Sequence, residues 1–355
     1  MAAHLARYGV VFAPSGKVGT LSAQFWGAVE LKQSVGFSVR EKMKDVPEAL
    51  PVNGKGRTRN RILRVGLALG IVGISVAILG GIIYRQWDDL VNYPWEFRPF
   101  PILASFGIYT LALFLVVWVW ADMMRKLGYS FGFWKHFRYL SMTNLAKRLP
   151  GTVWYIAGRA QFYKEDGVPR RVTSLMSGVE MAVTVISGIV VALVFGIPIF
   201  SQYQISLWGV GAILVGSSLF LHPRVLGFVM QRLGADVSVF GYKDLLLWIG
   251  CYLFVWLGGG GVLFSICKIF AEVELSSLGY IIGSWTLVGL LGFVFFFSPS
   301  NLGVAELGFS FLLGTIMASP VAIFVALGVR VLILVYELFW AFIAIIPGKT
   351  GLFHN

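Results

Sequence analysis

Long apolar blocks separated by short polar connections dominate the hydrophobic pattern of this chain. Seven blocks carry few or no charged residues, and a helix needs roughly 20 such residues to cross the hydrocarbon core of a membrane. They lie at 62–84, 100–121, 172–197, 205–221, 245–267, 278–297 and 320–346. The strict alternation of apolar and polar residues that marks barrel strands is absent from the sequence, so the blocks are expected to be helices. The pattern predicts an all-α, polytopic transmembrane helix bundle with about seven or eight spans.

The stretch 133–166 does not fit a simple span. It is too charged for a helix that faces lipid and too rich in aromatic residues for an exposed loop. We expect a helix over 133–149, a break at Pro150 and Gly151, and a second helix over 152–163. A helix interrupted in this way is tolerated at membrane depth only where it is buried in protein or lines a wet cavity.

The stretch 298–316 is a second interruption, in the other half of the chain. Pro299, Asn301 and Gly303 predict a turn, and a helix of about 14 residues follows. At 1.5 Å per residue this helix reaches about 21 Å, which is shorter than the hydrocarbon core. The sequence thus predicts two broken or re-entrant helix units in matching places of the two halves. Paired interruptions are typical of a transporter's substrate site, although such breaks also occur as plain helix kinks.

Positively charged residues collect in the connection after the second block. Their number predicts that this connection is cytoplasmic, since Lys and Arg are retained on that side of a membrane. They are Arg125, Lys126, Lys135, Arg138, Lys147, Arg148, Arg159, Lys164, Arg170 and Arg171. The alternation of charge along the chain then places the N-terminus in the cytoplasm. We expect a loosely structured cytoplasmic arm over 1–60, a transmembrane domain over 61–346 and a short tail over 347–355, in a multi-pass protein of the plasma membrane.

Composition agrees with this architecture. Apolar residues make up 57% of the chain and charged residues 13%, about half of the 25% that is typical of soluble domains. The net charge of +12 lies mostly in the connections, which favours contact with anionic lipid headgroups over nucleic acid. The cysteines and histidines form no metal-binding spacing, and common enzyme motifs are absent from the sequence. We predict no catalytic residue, no metal and no cofactor.

Three charged residues lie well inside apolar blocks, away from the block ends, where a charge is costly unless it has a partner or a function. Glu180 lies in the third block, and Arg330 and Glu337 lie in the last one. Arg330 and Glu337 share one helix face but stand about 10 Å apart along the axis, so each is expected to have another partner. Glu180 and Glu306 are the candidates for Arg330. The alternative is a structural ion pair that fixes the register of two helices.

An anion-binding site is predicted where the two breaks meet. A helix that begins after a break points unpaired N–H groups towards it, so both helix termini favour an anion. Arg148 and Arg159 flank the first break, and the planar guanidinium of an arginine suits a phosphate. Glu306 follows the second break and is expected to hold an amine of the headgroup or to pair with an arginine. For Arg148 the alternative is a side chain that reaches to the membrane surface and sets topology.

Both breaks carry sequences that resemble one family of membrane proteins. The segment KRLPGTVWYIAGR at 147–159, followed by EDGV at 165–168, resembles the first signature of the lysylphosphatidylglycerol synthetase transmembrane region, also called flippase-like. The segment SPSNLGVAELG at 298–308 resembles the second signature. In that segment Ser300 and Asn301 replace the usual glycines.

The resemblance implies an integral membrane protein of lipid handling over roughly 60–346. In the bifunctional relatives this region is understood to translocate aminoacylated phosphatidylglycerol between leaflets, while a separate soluble domain makes that lipid from aminoacyl-tRNA. No segment here corresponds to that domain, and aminoacyl transfer is not expected. The family's site residues carry over to Gly151, Arg159, Gly303 and Glu306.

Together these observations predict a protein that binds an anionic phospholipid or a lipid-linked glycan and moves it between leaflets. The expected headgroup-binding residues are Arg148, Gly151, Arg159, Gly303, Glu306 and Arg330. The expected partners are membrane lipids, with a second copy of the chain or a separately encoded synthetase as further possibilities. One alternative is an enzyme or accessory subunit that acts on lipid carriers, for which Glu306 with Glu180 is the acid–base candidate. Another is a scaffold for a separately encoded lipid synthetase.

Overall fold

The computed structural model describes residues 80–81, 84–85, 87–93, 97–147, 153–204, 206, 209, 241–295 and 303–345. Within these ranges the secondary structure is helical and contains no strand, which confirms the all-α class for the described part. The predicted arm over 1–60 and tail over 347–355 lie outside the described residues, as do almost all of the blocks 62–84 and 205–221.

Ten α-helices and one short 3-10 turn lie wholly within the described ranges. In chain order the α-helices are α1 (Trp87–Val91), α2 (Phe100–Lys126), α3 (Phe133–Ala146), α4 (Val153–Glu165), α5 (Arg170–Phe195), α6 (Ile197–Gln202), α7 (Tyr242–Phe270), α8 (Leu278–Val294), α9 (Val304–Leu313) and α10 (Ser319–Ile345). The 3-10 turn over Leu275–Ser277 leads directly into α8.

Five helices are long and apolar enough to cross a membrane. They are α2, α5, α7, α8 with its preceding 3-10 turn, and α10. They occupy five of the seven predicted blocks and confirm that those five form helices. Helices α3, α4 and α9 are shorter, with 14, 13 and 10 residues.

The shorter helices differ in length from the sequence expectation. Helix α3 ends at Ala146 rather than at residue 149, and the break at Pro150 and Gly151 lies outside the described residues. Helix α9 has 10 residues rather than about 14. It ends early because the next residues form turns, in which the N–H groups of Ile316 and Met317 bond to the carbonyl of Leu313.

Two glycines in the left-handed backbone region end α2 and α4. Gly128 and Gly167 both have φ near +81°, a conformation that costs least in glycine. At each end the next N–H turns back to a helix carbonyl, as in the 3.0 Å bond from Tyr129 N to Met124 O. These caps turn the chain sharply from α2 into α3 and from α4 into α5.

Helices α2 and α7 pack against each other and run in opposite directions. The end of α2 meets the start of α7, where Lys126 Nζ lies 2.6 Å from Asp244 Oδ1. The start of α2 meets the end of α7, where Arg98 N donates to Ile269 O at 3.0 Å. This antiparallel pair forms the centre of the described bundle.

Side-chain contacts also give the directions of α5 and α10. Tyr252 and Trp256, in this order on α7, bond to Glu180 and Thr184 of α5, so α5 runs parallel to α7. Helix α10 runs parallel to α2, because its aromatic residues meet those of α2 in the same chain order. The ring pairs are Phe106–Tyr336 and Phe114–Trp340, with centroids 5.2 and 5.5 Å apart.

The described helices form two corresponding sets, α2–α5 and α7–α10. Each set starts and ends with a long helix. Between them the first set has the short helices α3 and α4, and the second set has α8, which is long enough to span, and the short helix α9. The sets pack crosswise, meaning that the second helix of each set packs on the last helix of the other set. Helix α3 packs on α10, and α8 packs on α5. In each set the short helix before the last packs on the last helix, α4 on α5 and α9 on α10. The first helices of the two sets, α2 and α7, are antiparallel to each other. The last helices, α5 and α10, are also antiparallel, so corresponding helices of the two sets run in opposite directions.

Close packing between α7 and α8 depends on the glycines of α7. A Cβ atom on Gly259 would lie 2.0 Å from Trp285 Nε1, and one on Gly260 would lie 2.5 Å from Ile282 Cγ1. Gly258 and Gly261 face α2 with ordinary contacts of 3.5–3.7 Å. The run of four glycines therefore serves helix approach.

The apolar core divides in the same way as the helix sets. One cluster of buried side chains joins α2, α3 and α5 to the first half of α7, around Trp120, Phe137 and Trp248. A second cluster joins α8, α9 and α10 to the second half of α7, around Leu263 and Val325. A space is left between the two clusters, and the site lies there.

Candidate functional site

A cavity of about 450 Å³ lies between the two helix sets. Seven helices or their ends line it: α2, α3, α5, α7, α8, α9 and α10. Most of the lining is apolar, including Tyr109, Trp256, Trp285 and Phe309. Its charged lining residues in the described part are Lys147, Glu306, Arg330 and Glu337. An apolar cavity with a few charged groups is the usual form of a small-molecule or headgroup site.

Glu306 joins the start of α9 to the middle of α10. Its carboxylate accepts a 2.6 Å hydrogen bond from Gly303 N through Oε2 and one from Arg330 Nε through Oε1. Gly303 has φ of +88°, so a glycine at this position avoids the strain that a side chain would bring. Glu306 thus caps the first turn of α9 and pairs with Arg330. Of the two candidate partners for Arg330, Glu180 and Glu306, the structure shows Glu306. Each carboxylate oxygen accepts one bond, and of the two roles expected for Glu306 the structure shows the pairing with an arginine.

Arg330 and Glu337 line the same cavity from one face of α10. Their seven-residue separation spaces them about 10 Å along the helix axis. The side chain of Arg330 keeps 21% exposure, whereas that of Glu306 keeps 5%. The Arg330 guanidinium is therefore the more accessible member of the pair.

A second buried ion pair joins α4 to α5. Arg159 Nη1 lies 2.5 Å from Glu180 Oε2, and the Tyr252 hydroxyl donates to Glu180 Oε1 at 2.8 Å. The guanidinium of Arg159 lies over the ring of Trp120, 4.2 Å from its centroid, and near the ring of Tyr155 at 5.5 Å. Arg159 is only 1% exposed, so in this structure it does not line the cavity.

One helical turn of α5 separates this second pair from the cavity. Thr184 lines the cavity, and its hydroxyl donates to the Glu180 carbonyl at 2.7 Å. Trp256 also lines the cavity and donates from Nε1 to the Thr184 carbonyl at 2.9 Å. Thr184 and Trp256 thus lie between the cavity and the Arg159–Glu180 pair.

The predicted site residues fall into three groups. Glu306, Arg330 and Glu337 line the cavity, and Gly303 lies at its edge through the bond to Glu306. Arg159 and Glu180 pair with each other behind the cavity lining. Arg148 and Gly151 lie outside the described residues.

Several cavity residues were not singled out by sequence reasoning. Asn144 and Lys147 come from the end of α3, and Thr184 and Trp256 come from the interiors of long helices. The spacing of Tyr252 and Trp256, four residues apart on α7, was an available signal. It places two hydrogen-bonding aromatic residues on one face of a helix that is otherwise apolar.

A polar cluster at the start of α3 holds three helices together. The Tyr163 hydroxyl lies 2.5 Å from His136 Nδ1 and accepts a 2.8 Å bond from Trp120 Nε1. Beside it Lys135 Nζ lies 2.6 Å from Asp166 Oδ1. Burial, reinforced by the neighbouring Lys135 ammonium, lowers the pKa of His136 to about 4. The imidazole is therefore neutral at physiological pH and contributes to packing.

The described helices and this cavity define an α-helical membrane protein with a partly charged cavity between two helix sets. Among the described residues, no three His, Cys, Asp or Glu side chains come together in a way that could hold a metal ion. No family model matches the chain, and comparison with the curated proteins gives no match.

Proposed function

We propose that this protein binds the headgroup of an anionic phospholipid or a lipid-linked glycan in the cavity and moves the lipid between leaflets. The observation that carries the proposal is the position of the Glu306–Arg330 pair, in a cavity between two helix sets with opposite directions. Transporters with oppositely oriented repeats bind substrate between the repeats, near discontinuous helices. Helix α9 is such a short helix, and Glu306 lies in its first turn.

The membrane topology belongs to this proposal. In this proposal the chain has seven or eight spans, with the stretches 133–166 (α3 and α4) and 298–316 (α9) as the broken or re-entrant units of the two halves. The N-terminus is cytoplasmic in a plasma-membrane protein, since the basic residues at the end of α2 and start of α5 favour that side. Arg125, Lys126, Arg170 and Arg171 supply those charges.

The cavity offers a phosphate two cationic groups, opposed by the carboxylates of Glu306 and Glu337, and Glu306 is bonded to Arg330. Arg330 and Lys147 are cationic lining residues, and an arginine fork forms strong charge-assisted bonds with phosphate oxygens. Glu306 holds Arg330 from the side of α9. The rest of the cavity lining is mostly apolar.

Resemblance to the flippase-like family supports the same function. Of the residues that carry it, Arg159 and Glu306 each belong to an ion pair that joins a short helix to a long one, and Gly303 donates its backbone N–H to Glu306. The enzyme alternative relied on Glu306 and Glu180 as an acid–base pair. Each of these carboxylates instead bonds to its own arginine, which favours binding over acid–base chemistry.

A leaflet assay in liposomes tests the proposal. Fluorescent phosphatidylglycerol is placed in both leaflets, and an impermeant quencher reports the lipid that reaches the outer leaflet, with and without an imposed proton gradient. Wild-type protein is expected to expose the inner-leaflet lipid, and Arg330→Gln is expected to slow this by about tenfold or more, since bonds to charged groups are worth about 1.5–3 kcal/mol. Arg98→Gln is the matched control, because Arg98 also pairs with a glutamate but lies outside the cavity. Unchanged movement in Arg330→Gln, or equal loss in both variants, would refute the site.

A further inference from the structure

The two buried ion pairs occupy corresponding places in the two helix sets. In the first set Arg159 on short helix α4 pairs with Glu180 on long helix α5. In the second set Glu306 on short helix α9 pairs with Arg330 on long helix α10. The partners are 21 residues apart in the first pair and 24 in the second. The same connection is thus built twice, with arginine and glutamate exchanged.

The two pairs differ in exposure. Arg330 lines the cavity with 21% of its side chain exposed, whereas Arg159 keeps 1% and lies behind Thr184 and Trp256. Corresponding helices of the two sets run in opposite directions. In this structure the cavity opens beside Arg330, and the region beside Arg159 is closed. This is the asymmetry expected of a two-set transporter that is open on one side.

Arg159 has a hydrogen-bonding group that the closed arrangement does not use. Its Nε atom is buried and has no hydrogen-bond partner in the described part of the structure. In the other set the equivalent Nε of Arg330 bonds to Glu306. A buried unpaired donor beside two aromatic rings is costly, so the arrangement is better suited to a site that is filled during part of a cycle.

We propose that Arg159, with Glu180 and the rings of Trp120 and Tyr155, is a second phosphate-binding site on the same lipid route. It opens to the opposite side of the membrane when the cavity beside Arg330 closes. One turn of α5 separates Glu180 from Thr184 of the cavity lining, so the exchange would pass through a shift of α5 and α7 at Thr184 and Trp256. This inference rests on the proposed translocation function and extends it from one headgroup site to two.

Cysteine accessibility from each side of the membrane tests the exchange. In a background with Cys251→Ser and Cys267→Ala, Tyr155→Cys reports the Arg159 site and Ala305→Cys reports the cavity. An impermeant thiol reagent in oriented proteoliposomes is expected to label Ala305→Cys from one side and Tyr155→Cys from the other. In a protein with both cysteines, a bulky reagent at the cavity position is expected to slow labelling at the other position severalfold. Labelling of both from the same side, or no labelling of Tyr155→Cys, would overturn the inference.

Replacing both Arg159 and Glu180 with neutral residues separates a lipid-binding role of this ion pair from a structural one. Arg159→Gln with Glu180→Gln leaves no unpaired buried charge, so the protein is expected to remain monodisperse while lipid movement falls by about tenfold or more. Arg98→Gln with Glu272→Gln is the matched control, and its lipid movement is expected to equal that of wild type. Wild-type movement in the Arg159/Glu180 variant would overturn the second site. The wild-type protein is assayed beside the variants. If it moves no lipid, the proposed translocation function is itself refuted.

Discussion

Removing the negative charge of Glu306 gives a stability change whose size follows from the structure. Glu306→Gln keeps the shape of the side chain and can still accept one hydrogen bond at the start of α9. It leaves Arg330 without its carboxylate in a site where the arginine side chain is only 21% exposed. Breaking a buried ion pair from one side costs about 3–5 kcal/mol, and we expect about 3 kcal/mol because Arg330 keeps some contact with the cavity.

Thermal unfolding in mild detergent measures this loss. The shift per kcal/mol falls with chain length, from about 2–4 °C at 150–250 residues to about 1–2 °C for 355 residues, so Glu306→Gln is expected to lower the melting temperature by roughly 3–6 °C. Adding Arg330→Gln is expected to recover most of it, because neither side chain then carries an unpaired charge. Glu272→Gln is the control, since Glu272 is exposed to solvent and pairs with Arg98 at the surface; its melting temperature is expected to match wild type.

Two results would refute this reasoning. If Glu306→Gln melts with the wild-type protein, the Glu306–Arg330 pair does not stabilise the junction of α9 and α10. If the double variant melts as low as the single one, the loss comes from the hydrogen bond to Gly303 rather than from the lost charge pairing between Glu306 and Arg330.

Two further predictions concern packing and pH. Gly260→Ala places a methyl group 2.5 Å from Ile282 and is expected to lower stability by about 1–3 kcal/mol, whereas Gly261→Ala, with its nearest atom at 3.5 Å, is expected to be neutral by the same melting assay. Burial lowers the pKa of His136 from 6.5 to about 4, so between these pH values the unfolded chain binds a proton that the folded protein does not. Stability should therefore fall by about 3 kcal/mol as pH falls through that window, and His136→Gln should lack this part of the pH dependence in melts from pH 7 to pH 4; an equally steep loss in the variant would contradict it.

The apolar helices could be predicted because they depend on local composition. A segment such as α2 or α10 is helical in a membrane for reasons contained in its own 27 residues: it is apolar, and its backbone must bond to itself. The turn at Gly303 was also visible, since Pro, Asn and Gly residues restrict the backbone locally. The exact ends were less predictable. Helix α9 stops at Leu313 because of turn bonds that leave no clear mark in the sequence.

The identity of the charge partners could not be derived in the same way. A charge without a partner in an apolar helix is costly, and this predicts partners for Glu180, Glu306 and Arg330. Sequence reasoning placed Arg159 in an open anion site, whereas the structure places it under Thr184 and Trp256 in a bond with Glu180. Partners 21 and 24 residues apart are joined by the packing of two helices, and no periodicity within either helix records that contact.

The sequence by itself determined that this chain builds apolar helices and that a few charges must lie among them. Those properties follow from the transfer of each segment from water to hydrocarbon, which depends on its own side chains. Only the tertiary structure decided that the two helix sets pack crosswise, that one ion pair faces a cavity and that the other is buried. Those outcomes depend on close approach between distant segments. At Gly259, for example, an added Cβ atom would lie 2.0 Å from Trp285 Nε1. The difference in exposure between Arg330 and Arg159, which underlies both proposals, exists only once the helices are assembled.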